Sequence, residues 1–188
     1  MAPSPPTLTV RGALAWRSPL RLAPGRGAEH GVVAWDDARG VVVLLDPETG
    51  KERWTSEAAG RHAGLAADVT EDHVALAVGL QGANAEGIVP AGKRAFVVLD
   101  AKTGALRWEV PVTGTRFFPR PPLVQREQVL FLDGKGSLVA HALADGSPRA
   151  SAAAKEGHAI VGSRSHPFVG VIEWRPKHYV LRVYRAGV

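Results

Sequence analysis

The sequence of 188 residues contains no cysteine, which excludes disulfide bonds, thiolate metal sites and cysteine nucleophiles. It also lacks an apolar run close to the ~20 residues that a membrane-spanning helix needs. The longest apolar segments, Val41–Leu45 and Val74–Leu80, have the length of strands. The N-terminus has no basic segment followed by an apolar one, so no secretory leader is visible. We expect a cytoplasmic protein if this is the whole gene product, and an extracytoplasmic one if a leader has been removed.

The overall composition is typical of a globular domain. Apolar residues make up 45% of the chain, the mean hydropathy is −0.03 and the net charge is +5. Such a chain is too apolar and too weakly charged to be disordered. Its 21 glycines and 14 prolines favour many short elements over long helices. The length is sufficient for one sizeable core.

Positive charge is concentrated at the two ends of the chain. Residues 1–34 carry +3 and residues 155–188 carry +4, whereas the 120 residues between them carry −2. Such ends can meet an anionic partner or can simply be a solvated surface. Aromatic residues do not alternate with arginine on one strand face, which argues against nucleic acid. The candidate basic patch comprises Arg11, Arg17, Arg164, Arg175, Lys177, Arg182 and Arg185.

A ten-residue motif repeats within the chain. Leu45–Trp54 and Leu99–Trp108 share Leu, Asp, Thr, Gly, Arg and Trp in register, at an offset of 54 residues. Ala140–Gly146 is a weaker copy that keeps the glycine, and Gly12–Trp16 keeps only the spacing from glycine to tryptophan. A repeat of this kind predicts one supersecondary unit used several times.

Each residue type in the motif has a mechanical role. The aspartate can accept hydrogen bonds from backbone amides ahead of it and start a tight turn. The glycine supplies the positive φ that closes such a hairpin. A tryptophan at a fixed place behind each turn is best explained by packing between neighbouring units. The residues assigned to the structural repeat are Asp46, Gly50, Trp54, Asp100, Gly104, Trp108, Gly146 and Trp16.

Two further strand-like runs lie between successive motifs, which gives four strands per repeat. This predicts an all-β fold, a β-propeller of four-stranded antiparallel blades with about four blades in the chain. A β-sandwich has similar strand density but would not repeat the turn and its tryptophan. The predicted organisation is a Pro-rich lead at 1–6, a closing strand at 7–18, and blades at 19–57, 61–112, 116–154 and 158–187. The fourth blade is expected to lack its outermost strand.

The two clear copies resemble the blade motif of the pyrroloquinoline-quinone-like (PQQ-like) propeller family, Ala-Leu-Asp-x-x-Thr-Gly-x-x-x-Trp. The match is to its bacterial, non-catalytic branch, and WD-type propellers fit less well. The resemblance implies a ring that usually closes with eight blades, of which this chain would supply half. Residues 7–18 would complete the fourth blade, either within the same chain or in a second copy. We favour a homodimer that completes the ring; a fragment of a longer chain is the third alternative.

The dehydrogenases of this family, as the resemblance implies, bind the quinone over a tryptophan, use an aspartate base and hold calcium through Glu, Asn and Asp. The only asparagine here is Asn84, and no matching constellation is recognisable. Asp46 and Asp100 are better interpreted as turn residues. The seven histidines show no metal-binding spacing. We therefore expect no catalytic residue, no metal site and no cofactor.

Two loops are candidates for binding because loops on a rigid scaffold often carry function. Gln81–Arg94 is an insertion in the second repeat, and a tolerated surface loop is the alternative. Gly134–Ser137 is interpreted as a hairpin turn, with contact to an anion as the alternative.

The function expected from these features is that of a non-enzymatic scaffold that binds a protein or peptide. Family analogues include a propeller lipoprotein that assists outer-membrane barrel assembly, although fold alone says little about a partner. The alternatives are a ligand-sensing domain of a larger signalling protein and, less favoured, a quinone-dependent dehydrogenase.

Overall fold

The computed structural model describes residues 16–60, 64–79, 94–112, 119–153 and 157–185. These residues form sixteen strands and no helix, so the predicted all-β architecture is confirmed. In chain order the strands are β1 Arg21–Leu22, β2 Gly25–Arg26, β3 Val32–Asp36, β4 Val41–Leu45, β5 Glu52–Ser56, β6 Gly64–Val69, β7 His73–Gly79, β8 Ala95–Asp100, β9 Leu106–Pro111, β10 Leu123–Gln125, β11 Gln128–Leu132, β12 Leu138–Ala142, β13 Pro148–Ala152, β14 Gly157–Gly162, β15 Phe168–Arg175 and β16 His178–Arg185.

The strands form four sheets, here named blades 1 to 4. Blade 1 has the order β1-β3-β4-β5 and blade 3 the order β10-β11-β12-β13. Blade 2 has the order β2-β6-β7-β8-β9, and blade 4 contains only β14-β15-β16. Apart from β2, every described strand pairs antiparallel with its neighbours. This is the predicted set of antiparallel blades, with one extra strand in blade 2.

The extra strand, β2, has no counterpart in the sequence pattern. It comes from the segment between β1 and β3, yet it pairs parallel with β6 of the next blade, Gly25 opposite Ala67. A Cβ at position 25 would lie 2.6 Å from the Ala67 carbonyl oxygen, so only glycine permits this approach. The strand therefore links blades 1 and 2 through the backbone.

The strands inside blades 1 to 3 are largely apolar on both faces because these blades are covered on both sides. All five residues of β4 are buried, and β6 is buried throughout. β-Branched and aliphatic residues suit such doubly covered strands. The outer strands β5 and β9 instead expose most of their residues and bury one tryptophan each. The core thus lies between the blades rather than inside any one of them.

Alternation along the strands divides the core into interblade layers. In β7, Val74, Leu76 and Val78 pack in the layer shared with blade 1, whereas Ala75 and Ala77 pack in the layer shared with blade 3. Phe96 and Phe131 stack across that second layer with ring centroids 4.0 Å apart. A third layer joins blades 3 and 4. Successive blades are therefore held together by burial of apolar surface.

The repeated tryptophans lie against the repeated glycines of the next blade. Trp54 of blade 1 lies over Gly104 of blade 2, and Trp108 of blade 2 lies over Gly146 of blade 3. The two indole N–H groups donate to the carbonyl oxygens of Ala101 and Leu143, at 2.8 and 2.9 Å. Each tryptophan thus packs on the neighbouring turn and also donates a hydrogen bond to it.

Trp16 repeats this arrangement on blade 1. It lies over Gly50 and donates to the Pro47 carbonyl oxygen at 2.9 Å. The three glycines have φ of 68, 73 and 74°. Positive φ and the closeness of the ring both require glycine.

The Trp–Gly contact can be tested by replacing Gly104 with alanine. A Cβ there would meet two Trp54 ring atoms at 2.7 and 2.8 Å, in addition to the strain of φ +73°. We expect Gly104→Ala to lower the free energy of unfolding by about 3 kcal/mol, measured by urea denaturation.

Gly40→Ala is the matched control, because Gly40 has φ +70° but nothing within 4 Å of a Cβ. It should cost only about 1 kcal/mol, the strain alone. Equal losses for the two variants would show that the ring contact contributes nothing.

Candidate functional site

The motif aspartates are engaged in their own turns. The Asp100 carboxylate accepts the Lys102 and Thr103 amides, each at 3.0 Å, and its other oxygen accepts from Arg107 at 2.7 Å. Arg107 and these turn donors hold the pKa of Asp100 well below its usual range. Asp46 is bound in the same way by Thr49 and Arg53, and its pKa is lowered for the same reason. Carboxylates in this state are poor general bases.

A second set of polar contacts lies at the inner strands, where three blades approach one another. Asp68 of β6 is fully buried and accepts the Val124 amide of blade 3 at 2.7 Å. Arg164 of blade 4 donates to the same carboxylate and, at 2.7 Å, to the Val69 carbonyl oxygen. Burial raises the pKa of Asp68, opposed by these two donors. The Asp68–Arg164 pair therefore ties blades 2, 3 and 4 together.

Other polar groups reinforce this inner junction. The Gln125 amide nitrogen of β10 donates to the carbonyl oxygens of Ser163, at 2.8 Å, and His166. Arg26 of β2 donates to the Ile160 carbonyl oxygen of blade 4. All these contacts cross between blades, so the cluster supports the packing of the blades at their inner strands.

The Asp68–Arg164 pair gives a test of this support. Arg164→Gln leaves a buried carboxylate without its cation, and we expect a loss of about 3 kcal/mol in the free energy of unfolding. Adding Asp68→Asn should recover part of that loss, because the asparagine oxygen can still accept from Val124.

Arg149→Gln serves as the control, since its 3.9 Å contact with Glu127 is exposed. It should change stability by less than about 0.5 kcal/mol. A similar small effect for Arg164→Gln would contradict the assigned role.

The residues of the predicted basic patch occupy different settings. Arg164 is paired as described, and Arg175 and Arg182 both contact the fully buried Glu173, at 2.7 and 2.8 Å. The exposed members are Arg17, Lys177, Arg182 and Arg185, of which only Arg182 contacts a buried acid in the described part of the chain. Arg11 lies outside the described residues. Three of the six described members thus pair with two buried acids, and the patch as a surface for an anionic partner stays a prediction.

Blade 4 presents a bare apolar face. Phe168, Leu181 and Val183 are 52, 57 and 62% exposed. The register places Gly170 opposite Val183 and Ile172 opposite Leu181, so these side chains share one side of the sheet. The other side, which includes Val169 and Val171, is buried against blade 3. Contiguous exposed apolar residues of this kind mark interaction surfaces.

The outer edge of blade 4 is also unpaired within the described residues. Blades 1 to 3 each end in an outer strand, β5, β9 or β13, but β16 has a partner only on its β15 side. An edge of eight residues can accept another strand.

The sequence carried a signal for one of these features and none for another. The alternation of Tyr179, Leu181 and Val183 could have indicated the apolar face of blade 4. Nothing in the sequence indicated that Asp68 and Glu173 would pair with arginines.

The described residues contain no group of three His, Asp or Glu side chains that could hold a metal ion. His73 contacts Arg107 at 2.8 Å, and burial together with this cation lowers its pKa. Asn84, most of the Gln81–Arg94 insertion and residues 7–15 of the strand predicted at 7–18 lie outside the described residues. The absence of a cofactor therefore stays a prediction.

No helix in the described part of the chain is long and apolar enough to cross a membrane.

Comparison with protein families decides the relationship. The PQQ-type family described as outer membrane protein assembly factor BamB matches residues 8–176. The chain belongs to this BamB-type family of PQQ-like propellers. The family resemblance of the repeat motif is thereby confirmed. Comparison with curated proteins finds none that matches the chain.

Solved structures of low sequence identity show the same fold. BamB from Moraxella catarrhalis is 16% identical with a TM-score of 0.57, over 88% of this chain and 47% of that one. The computationally designed Ika4 protein is 15% identical with a TM-score of 0.61, over 94% of this chain and 100% of that one. A quinohemoprotein alcohol dehydrogenase from Comamonas testosteroni is 16% identical over 71% of this chain and 21% of that one, and its TM-score of 0.45 is too low to show a shared fold.

The lengths of these relatives differ from that of this chain. The chain spans about half the length of the BamB structure and the full length of the designed propeller. Identities of this size show the fold alone. Partners and activity therefore have to be argued from this chain's own surfaces.

Proposed function

We propose that this protein is a non-enzymatic propeller scaffold that binds a protein or peptide. The observation that carries the proposal is blade 4, which presents an apolar face and an open strand edge side by side. Such a surface favours association with another polypeptide rather than with a small molecule. Membership of a family described as an assembly factor agrees with this role.

The engagement of the motif aspartates supports a non-enzymatic role. Asp46 and Asp100 each bind an arginine and the amides of their own turn, so neither carboxylate is available as a base. The dehydrogenase alternative would need a base and a calcium site elsewhere in the chain.

This alternative can be tested directly with pyrroloquinoline quinone and calcium. We expect no saturable change in the quinone absorption spectrum and no alcohol-dependent dye reduction when both are added to the protein. A saturable spectral change accompanied by turnover would establish the dehydrogenase and remove the present proposal.

The scaffold is further proposed to work as a homodimeric ring of eight blades. Trp54 and Trp108 lie in the outer strands β5 and β9, and each packs on the blade that follows. Trp16 packs on blade 1 in the same way. By this rule Trp16 stands where the outer strand of a blade before blade 1 would carry its tryptophan, and a three-stranded blade such as blade 4 would be completed by such a strand.

A second copy meets both requirements at once. Its blade 4 would receive the outer strand that precedes Trp16, and its bare face would lie towards blade 1 of the first copy. Two-fold closure repeats the same contact at both junctions, as a symmetric dimer requires. Closure also removes the exposed edge of β16 from solvent.

Solution mass tests the ring. Light scattering on the separated protein should give twice the chain mass of 19.9 kDa. Leu181→Asp places a charge in the centre of the apolar face and should weaken dimerisation by about tenfold or more.

Leu106→Asp is the matched control, because Leu106 is 50% exposed on the outer strand of blade 2. It should leave the dimer unchanged. A monomer for the unaltered protein would overturn the ring and leave the blade 4 surface open to a different polypeptide.

A further inference from the structure

A groove separates blade 3 from blade 4 at the β11–β12 turn. It has a volume of about 530 Å³, within the range of ligand-binding clefts. Blade 3 contributes Leu132, the turn Asp133–Gly136 and the preceding Arg120. Blade 4 contributes Gly157, His158, Trp174 and Tyr179. The turn is the Gly-Lys-Gly-Ser segment that the sequence marked as a hairpin.

The blade 3 side of the groove carries unbalanced positive charge. Arg120 and Lys135 take part in none of the ion pairs within the described ranges. The acid among the lining residues, Asp133, accepts the Lys135 and Ser137 amides, each at 2.8 Å, and is thus engaged in its turn. The Arg120 guanidinium lies 3.3 Å from the Nδ1 ring nitrogen of His158. An anion bound here would therefore accept charge-assisted hydrogen bonds from Arg120 and Lys135, and no carboxylate of the groove lining would compete for them.

The blade 4 side of the groove is aromatic. Trp174 is 47% exposed and Tyr179 is 62% exposed, whereas Trp35, Trp54 and Trp108 are buried. The Tyr179 ring lies 6.2 Å from the His158 ring, which connects the aromatic side to the cationic side. Exposed Trp and Tyr side chains are enriched at binding sites because they offer a large apolar area with little loss of side-chain entropy.

We propose that this groove binds an extended acidic peptide segment of the partner protein. Carboxylates of the segment would pair with Arg120 and Lys135, and an apolar side chain would pack on Trp174 and Tyr179. A ligand of this groove must present an acidic group to Arg120 and Lys135 of blade 3 and an apolar group to Trp174 and Tyr179 of blade 4. A peptide with both kinds of side chain can do this. This inference rests on the proposed scaffold function and gives the chemistry of its partner.

The proposal is tested by fluorescence anisotropy with two labelled peptides. The probe is Glu-Asp-Phe-Glu-Asp, and the neutral counterpart is Gln-Asn-Phe-Gln-Asn. The acidic probe should bind saturably, and the neutral one about tenfold more weakly or worse. Arg120→Glu with Lys135→Glu should weaken binding of the acidic probe by about tenfold or more. Trp174→Ala should weaken it by about fivefold through loss of the apolar contact.

Lys51→Glu with Arg149→Glu is the charge-matched control, because both residues are exposed and neither lines the groove. This control should bind the acidic probe within about twofold of the unaltered protein. Equal binding of the two peptides, or an equal loss in the control variant, would overturn the proposal. Complete displacement of the probe by millimolar inorganic phosphate would also overturn it, by showing a simple anion site.

The outcomes separate this groove from the dimeric ring. Val183→Asp lies on the same apolar face but farther from Tyr179 than Leu181 does, so it should weaken dimerisation by about tenfold or more and retain binding of the acidic probe. The Arg120→Glu, Lys135→Glu variant should instead bind the probe about tenfold more weakly and keep its dimeric mass. Loss of probe binding to the unaltered dimer would overturn the groove alone. A monomer that binds the probe would overturn the ring alone.

Discussion

The architecture depends on the contact between a tryptophan ring and the turn glycine of the next blade. Because the ring occupies the space of a missing Cβ, each turn receives one tryptophan in one orientation. The indole hydrogen bond to a turn carbonyl then sets the position of one blade against the next. The apolar layers supply most of the burial, but hydrophobic packing is non-directional and would not by itself select this alignment. The Trp–Gly contact, which is directional, therefore sets how one blade is aligned on the next.

The same contact explains why blade 4 differs from the others. Blades 1 and 2 end in strands that carry a tryptophan, and blade 3 ends in β13, where Ala150 stands in place of one. Blade 4 has no described outer strand at all, and its apolar face is correspondingly bare. The exposed apolar face and the unpaired edge of β16 thus coincide with the blade that lacks such a strand in the described part of the chain.

The arginines of the described residues fall into two groups. Buried carboxylates at Asp68, on β6 of blade 2, and at Glu173, on the middle strand of blade 4, pair with arginines that are partly exposed. Buried ion pairs of this kind add little net stability, yet they disfavour alternative packings that would separate the charges. Towards the groove between blades 3 and 4, in contrast, Arg120 and Lys135 have no acidic partner in the described part of the chain. This difference separates structural arginines from a candidate binding surface.

The sequence alone determined the repeated hairpins, the blade count and the family, because the turn residues and the tryptophan recur at fixed spacing and act locally. It could not reveal the parallel strand β2, which depends on Gly25 meeting Ala67 from another blade. Nor could it separate Arg164, held by Asp68, from Arg120, left facing a groove, since both are simply arginines in a basic chain. Those assignments required the tertiary structure, because burial and charge pairing depend on residues that are 96 to 135 positions apart and meet only when the blades pack.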